Sequence, residues 1–279
     1  MFDRFASLVA SAVLLVALLT VSQPSPASAV TVAKPGCDIR FPQCHGPLPK
    51  VRDAGFGVLG VNGGRVFTKN PCLAAQLRWA KQLDGPPAFY ANTGNPGPRD
   101  ARHWPLGQTW PRECARSDPN SVGCSYDYGW NAAKQSFGVA VDAAQLLHGV
   151  SRANAAARVA NVDWWLDVEI LNSWQTLQTE PTRAKQQNDI ATLAGAVNAL
   201  WDLNVARVGI YSTSYQWDAI TGGLLRTRDW FSSNPVWLAG FDHQADAVAG
   251  CGRRSFTGGP VLMTQYLTKD GFDGDVACA

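Results

Sequence analysis

The stretch Val162-Asp163-Trp164-Trp165-Leu166-Asp167-Val168-Glu169-Ile170-Leu171 decides how this chain is read. In an extended strand alternate side chains share a face. Trp164, Leu166, Val168 and Ile170 then form one wholly apolar face, expected to pack beneath a helix. Asp163, Trp165, Asp167, Glu169 and Leu171 form the other. Asp167 and Glu169 are one residue apart, so their α-carbons would lie roughly 6–7 Å apart at about 3.3 Å of rise per residue. Two carboxylates held that close on a rigid strand suit general acid/base work on a glycosidic bond. The plain alternative is an amphipathic strand whose charged face meets water. Trp165 on the acidic face adds the kind of surface that lines a sugar-binding groove.

Outward from this strand the chain alternates strands with helices. Before it, Cys37–Phe41 reads as a first strand stopped by Pro42, and Phe56–Asn62 as a second, ending in Gly63-Gly64. Asn70 as N-cap and Pro71 at the first helical position open a helix through Leu77 and Lys81. Ala88–Asn92 is a third strand. Residues 93–124 form a long Gly/Pro-rich loop, of a length that is usually functional or stapled. Ser125–Val150 is a long helix leading directly to the acidic strand. After it come a helix over Pro181–Leu203, a strand over Arg207–Ser212, and a short helix stopped by Gly222-Gly223. Strands at Pro235–Ala239, Pro260–Tyr266 and Phe272–Cys278 complete the chain, with Asp273-Gly274-Asp275 expected first of all as a turn. This order implies parallel βαβ units. At this length it favours a single α/β domain built as a TIM-like (β/α) barrel, whose active site lies at the C-terminal ends of its strands. Asn92, Asp167, Glu169 and Tyr211 sit at such ends.

The N-terminus runs apolar from about Phe5 to Val21 and reaches Ala27-Ser28-Ala29, a small-x-small pattern. It reads as a secretory signal peptide over 1–29, leaving 30–279 as the barrel and an extracellular location, with a cell-wall association as one form of it. Export permits disulfides. The seven cysteines contain no CxxC, and the four histidines lie far from zinc spacing, so no metal or other cofactor is expected. Three bridges with one cysteine over is the simplest account: Cys44 with Cys72, Cys114 with Cys124, and Cys251 with Cys278, leaving Cys37 as a free thiol. The formal charge is +2 with no basic run, so no nucleic-acid footprint is visible. No later segment reads as a membrane span, and a monomer is expected. Of the eleven tryptophans, Trp104 and Trp110 in the long loop are candidate glycan contacts. A serine hydrolase is disfavoured, since no Gly-x-Ser-x-Gly turn is present.

These residues resemble glycoside hydrolase family 25, the muramidase or lysozyme-type barrels. The likeness rests on Gly36-Cys37-Asp38 through Gln43, on Leu166-Asp167-Val168-Glu169, on Gly209-Ile210-Tyr211-Ser212, on Val236-Trp237-Leu238-Ala239, and on Gln265-Tyr266 followed by Phe272-Asp273-Gly274-Asp275-Val276. It spans nearly the whole chain after the leader. Three positions depart from the family's pattern: Val61-Asn62-Gly63-Gly64 after the second strand, Tyr90-Ala91-Asn92 at the end of the third, and Arg40 in the first. The resemblance implies cleavage of β-1,4 bonds in peptidoglycan, with Glu169 protonating the leaving oxygen. Asp167 would orient the substrate's acetamido group as an internal nucleophile, and Asp38 would support the charge cluster. Asn92, Trp165, Tyr211 and Gln265 would line the groove as substrate-binding residues. A barrel that binds wall glycan without cleaving it, or a glycosidase of another polysaccharide, are the alternatives.

Overall fold

The computed structural model describes residues 34–223, 231–269 and 271–278, so the expected leader at 1–29 lies outside the described residues. Eight strands close a barrel in sequence order: β1 (Gly36–Ile39), β2 (Gly57–Gly60), β3 (Ala88–Asn92), β4 (Asp163–Asp167), β5 (Arg207–Ser212), β6 (Val236–Phe241), β7 (Val261–Leu267) and β8 (Asp273–Ala277). Strands β1 to β7 pair parallel to their neighbours, but β8 runs antiparallel to both β7 and β1. The barrel expected from the βαβ rhythm is therefore present, with one reversed strand. The reversal follows from the connection, because only the turn at 268–272 separates β7 from β8, and a turn that short joins antiparallel strands.

Between β2 and β7 the helices form the outer layer. They are α1 (Leu73–Ala80), the one-turn α2 (Gly97–Asp100), α3 (Val122–His148), α4 (Arg152–Ala160), the one-turn α5 (Gln175–Gln178), α6 (Arg183–Asp202), α7 (Ser214–Thr221) and α8 (Gln244–Gly250). Each of α3, α4, α6 and α7 starts at a Ser or Thr whose hydroxyl accepts an amide of the first turn. The α7 helix ends at Gly222, which takes the left-handed conformation expected of a C-cap glycine. Helix α4 was not expected. Ser151 capping an Ala/Arg run is its only local signal, and Ala155, Val159 and Ala160 are the side chains it buries.

The alternation in β4 holds within the strand. Trp164 and Leu166 point outward, where Trp164 packs 5.2 Å from Phe89 and 5.8 Å from Phe137 of α3. Trp165 points into the barrel with Val58, Trp237 and Met263. A methyl at Gly209 would overlap the Trp165 ring, so the neighbouring strand must carry glycine there. The strand ends at Asp167. Ile170 and Leu171, assigned to its two faces by alternation, lie in the following loop, 37% and 90% exposed. The first strand is likewise shorter than expected: Phe41 begins a single 3-10 turn.

Three disulfides join Cys44 to Cys72, Cys114 to Cys124 and Cys251 to Cys278, with Cys37 free. This is the pairing the spacing suggested. Among the described residues, no helix is long and apolar enough to cross a membrane.

Candidate active site

The parallel strands bring their C-terminal ends to one rim, and the reversed β8 brings its N-terminal end there. Asp38 leaves β1, Asn92 β3, Asp167 β4, Tyr211 β5 and Gln265 β7, while Asp273 opens β8. The register places Asn92 and Tyr211 on either side of Asp167, and Asp273 beside Asp38. Glu169 stands two residues beyond Asp167, outside the strand. Its backbone is fixed nonetheless: its carbonyl accepts from Asn172 N (3.1 Å) and Trp174 Nε1 (2.9 Å), and Val168 N donates to Tyr211 O at 2.9 Å.

Two hydrogen-bonded chains order the polar groups. Asn92 Nδ2 donates to Asp167 Oδ2, and Asn92 N donates to Asn62 Oδ1 at 2.8 Å. The Asn62 amide in turn donates to Ser136 of α3 at 3.2 Å. On the other side Tyr211 donates to Gln265 Oε1 at 2.8 Å, and Gln265 Nε2 donates to Asp38 Oδ2 at 2.7 Å. The second chain ties β1 to β7 across 227 residues of sequence.

Five carboxyls share this space: Asp38, Asp167, Glu169, Asp273 and Asp275. Among the described residues none of them is in an ion pair. Burial is the first cause of every shift here, because it disfavours the charged form, and the mutual repulsion of the acids adds to it. Asp38 is pushed up to about 8 by burial and by Asp273, against the hydrogen bond from Gln265 and the charge of Arg40. Asp167, 3% exposed, is held well above the carboxylate range by burial and by the Glu169 charge beside it. Glu169 is also raised by burial, offset by its hydrogen bond with Asp167 and by Arg40. Arg40 lowers Asp38, Glu169 and Asp273 alike. Below this rim Asp275 is fully buried with neither carboxyl oxygen in a hydrogen bond, and the Trp237 indole that faces it stops short of bonding geometry.

The arrangement can hold a protonated carboxyl near neutral pH beside a second carboxyl, at an open barrel end. Among the described residues no cluster of His, Cys, Asp or Glu has the geometry to hold a metal ion. Of the residues read from sequence, Asp38, Asn92, Asp167, Glu169, Tyr211 and Gln265 meet at this rim. Trp165 does not: it lies one layer deeper, 3% exposed, beside a cavity of about 620 Å³ at the opposite end of the barrel. Alternation gives the face a side chain points to but not its depth, and two residues before Asp167 is already core. Two residues of the rim were missed. Asp273 falls within the expected closing strand, but its Asp-Gly-Asp setting reads first as a turn, and only the pairing with β1 brings it beside Asp38. Asn62 carries no motif, and its role depends on a contact with β3.

Two loops wall the rim on the β2–β3 side. Phe67, between β2 and α1, holds φ at +59°, a conformation bulky residues avoid. Its ring sits 4.6 Å from His103 and 5.1 Å from Tyr128. Trp104 lies tilted against Tyr128 with ring centroids 5.1 Å apart and donates its N–H to Pro119 O at 2.7 Å. Trp104 is therefore fastened inside the long loop.

The fold is shared by solved structures of a spore cortex lytic enzyme, a lysozyme and a family 25 glycosyl hydrolase. The spore cortex lytic enzyme SleM of Clostridium perfringens superposes with a TM-score of 0.55 at 12% identity, covering 92% of this chain and 69% of that one. A bacterial lysozyme from Streptomyces coelicolor gives 0.52 at 13% identity over 89% of this chain and 94% of its own. A family 25 glycosyl hydrolase from Bacillus anthracis gives 0.50 at 10% identity over 93% and 95%. At these identities the likeness is one of fold. No protein-family model and no curated protein sequence matches the chain.

Proposed function

We propose that this chain, on a fold shared with family 25 glycosyl hydrolases, is a secreted lysozyme-like glycoside hydrolase that cleaves β-1,4 bonds of peptidoglycan. The observation that carries the reading is the pair Asp167–Glu169, two residues apart at the barrel rim and both held above the normal carboxylate range by burial. A carboxyl that keeps its proton near neutral pH is what an acid catalyst of glycoside cleavage needs.

In this mechanism Glu169, the more exposed of the two, donates its proton to the glycosidic oxygen as the C1–O bond breaks. The carbonyl oxygen of the substrate's own 2-acetamido group attacks C1 from the opposite side and closes an oxazolinium ring. With the proton of the coupled pair on Glu169, Asp167, fixed by Asn92, is the carboxylate that accepts from the acetamido N–H and stabilises the positive charge that forms there. A water then adds at C1 as the ring's C1–O bond breaks and the acetamido group is regenerated, and the water gives its proton to the Glu169 carboxylate, restoring the acid. Asp38, Asp273 and the Tyr211–Gln265 bridge keep the cluster's charge and geometry fixed for the developing cation, an electrostatic contribution that needs no movement during reaction. Three disulfides and the apolar N-terminal leader support an exported enzyme. We further propose that it acts as a monomer, free of the membrane once the leader is removed.

The test is release of reducing ends from purified bacterial peptidoglycan by the wild-type chain and by Glu169→Gln. Release by the first and its loss in the second supports the reading. Silence from both, with folded protein still bound to the glycan, replaces it with a binding barrel.

A further inference from the structure

The rim does not account for Trp110. This side chain is 61% exposed, on the same long loop that locks Trp104 away. An exposed large aromatic is informative when the backbone beneath it is rigid, and here it is. Gln108 Nε2 donates to Trp110 O at 2.7 Å, and Asn131 of α3 holds Gln108 at 2.8 Å. Arg112 N donates to buried Asp127 at 3.0 Å, and the Cys114–Cys124 bridge closes the segment onto α3. The ring stands edge-on against Trp130 at 5.2 Å.

Two cations accompany it. Lys134 Nζ lies 5.7 Å from the centroids of both Trp110 and Trp130, and the Arg112 guanidinium lies 4.9 Å over Tyr126. Neither is in an ion pair among the described residues. Tyr126, Trp130 and Lys134 are four residues apart on α3, so they form one stripe along the helix. Beside the stripe a groove of about 620 Å³ runs between α3 and α6, floored by Ile190 and Ala194 and bordered by Arg112 and Tyr126. Tyr126 and Trp130 of the stripe are themselves buried, so the exposed parts of this face are Trp110, Arg112 and Lys134.

We propose that Trp110, with Lys134 and Arg112, forms a second carbohydrate-binding surface outside the cleft, for an anionic glycan polymer. A pyranose ring stacks its apolar C–H face on Trp110. A carboxylate or phosphate substituent of the same strand meets Lys134 and Arg112, the latter beside Asp127 and Glu113. The pinned loop supports this role because stacking on an already ordered ring loses little conformational freedom on binding. The surface grips the insoluble polymer while the rim works on one bond of it. The choice of polymer rests on the glycosidase reading, whereas the surface itself rests on the stripe.

The experiment measures binding of the chain to purified peptidoglycan sacculi by co-sedimentation, with Trp110→Ala, Trp110→Tyr and Lys134→Glu compared in wild-type and Glu169→Gln backgrounds. Trp110→Ala is expected to raise the dissociation constant about tenfold and Lys134→Glu about fivefold, with Trp110→Tyr close to wild type. All three keep the wild-type hydrolysis rate at saturating sacculi. Unchanged binding by folded Trp110→Ala overturns the proposal. So does Trp110-dependent binding of a single-stranded oligothymidylate without an effect on sacculi, which would assign the stacking to bases. If no variant hydrolyses the glycan but Trp110→Ala still loses binding, the catalytic reading falls and the surface stands.

Discussion

Asp189 and Asp275 are both fully buried carboxyls, in two regions that treat them in opposite ways. At the junction of α5 and α6, Asp189 accepts from Gln175 N at 3.3 Å, Thr176 N at 3.1 Å and Thr176 Oγ1 at 2.8 Å. Those donors pull it down against the burial that raises it to about 7. Inside the barrel, Asp275 has no hydrogen bond on either oxygen and feels the charges of Asp38 and Asp273. The first is the ordinary condition of a buried polar group, satisfied by nearby donors. The second belongs to a region where five acids crowd one another against a single nearby cation, Arg40, and few donors. Such crowding disfavours folding, and its persistence marks the barrel rim as the place where chemistry rather than stability sets the residues.

Four substitutions or conditions test that contrast. Glu169→Gln is expected to lower the turnover of peptidoglycan by about 10²–10⁴-fold while leaving the melting temperature at or above wild type. A large drop in melting temperature would make the rim structural and remove the contrast. Asp189→Ala should do the reverse, orphaning its three donors and destabilising the fold by about 2–4 kcal/mol. That is roughly 5–15 °C in a thermal melt, with the rate per folded molecule unchanged. The pH dependence of stability follows from the raised acids. An unfolded Asp titrates near 3.8, whereas folded Asp38 holds its proton to about 8. Between those values the unfolded chain binds fewer protons, so stability falls as pH rises through the window. Asp167 and Asp275, raised for the same cause, act in the same direction. Thermal melts from pH 5 to 8.5 should therefore show a declining melting temperature, and a rising one would contradict the electrostatics described. The smallest effect is expected from Asp275→Asn, which removes one strained ionisation. It should raise stability at pH 8 by about 1 kcal/mol, a shift of roughly 2–4 °C, and flatten the pH slope.

Much of this contrast was legible in advance. Asp167 and Glu169 stand one residue apart in a stretch whose apolar partners alternate, and local sterics make such a stretch extended wherever it is placed. The three disulfides followed from spacing, because Cys114 and Cys124 could close only a short loop and Cys251 lay within reach of the C-terminus. Asn92 and Tyr211 were named because each sits at the C-terminal end of a readable strand, and Gln265 because Gln265-Tyr266 resembles a motif of the family. Trp165 was misplaced because the strand pattern does not say how deep a residue sits. Asp273 was read as a turn because its pairing partners are Asp38 and Leu267, and the Asp38 pairing spans most of the chain. Trp104 and Trp110 looked alike in the loop, and only the position of Tyr128 and Trp130 on α3 separated a fastened ring from a presented one.

The amino-acid sequence by itself determined the alternation of strands and helices and the acidic pair at the end of β4, and it made the observed bridges the simplest of several pairings. These depend on side-chain period, caps and chain length, all of which act over a few residues or through simple loop closure. The tertiary structure alone decided that β8 turns back against β1, bringing Asp273 and Asp275 to Asp38. It also decided that Gln265 spans from Tyr211 to Asp38. Those contacts arise from closing the barrel, where each strand's register is set by its two neighbours at once, and no local pattern records which residues that closure will bring face to face.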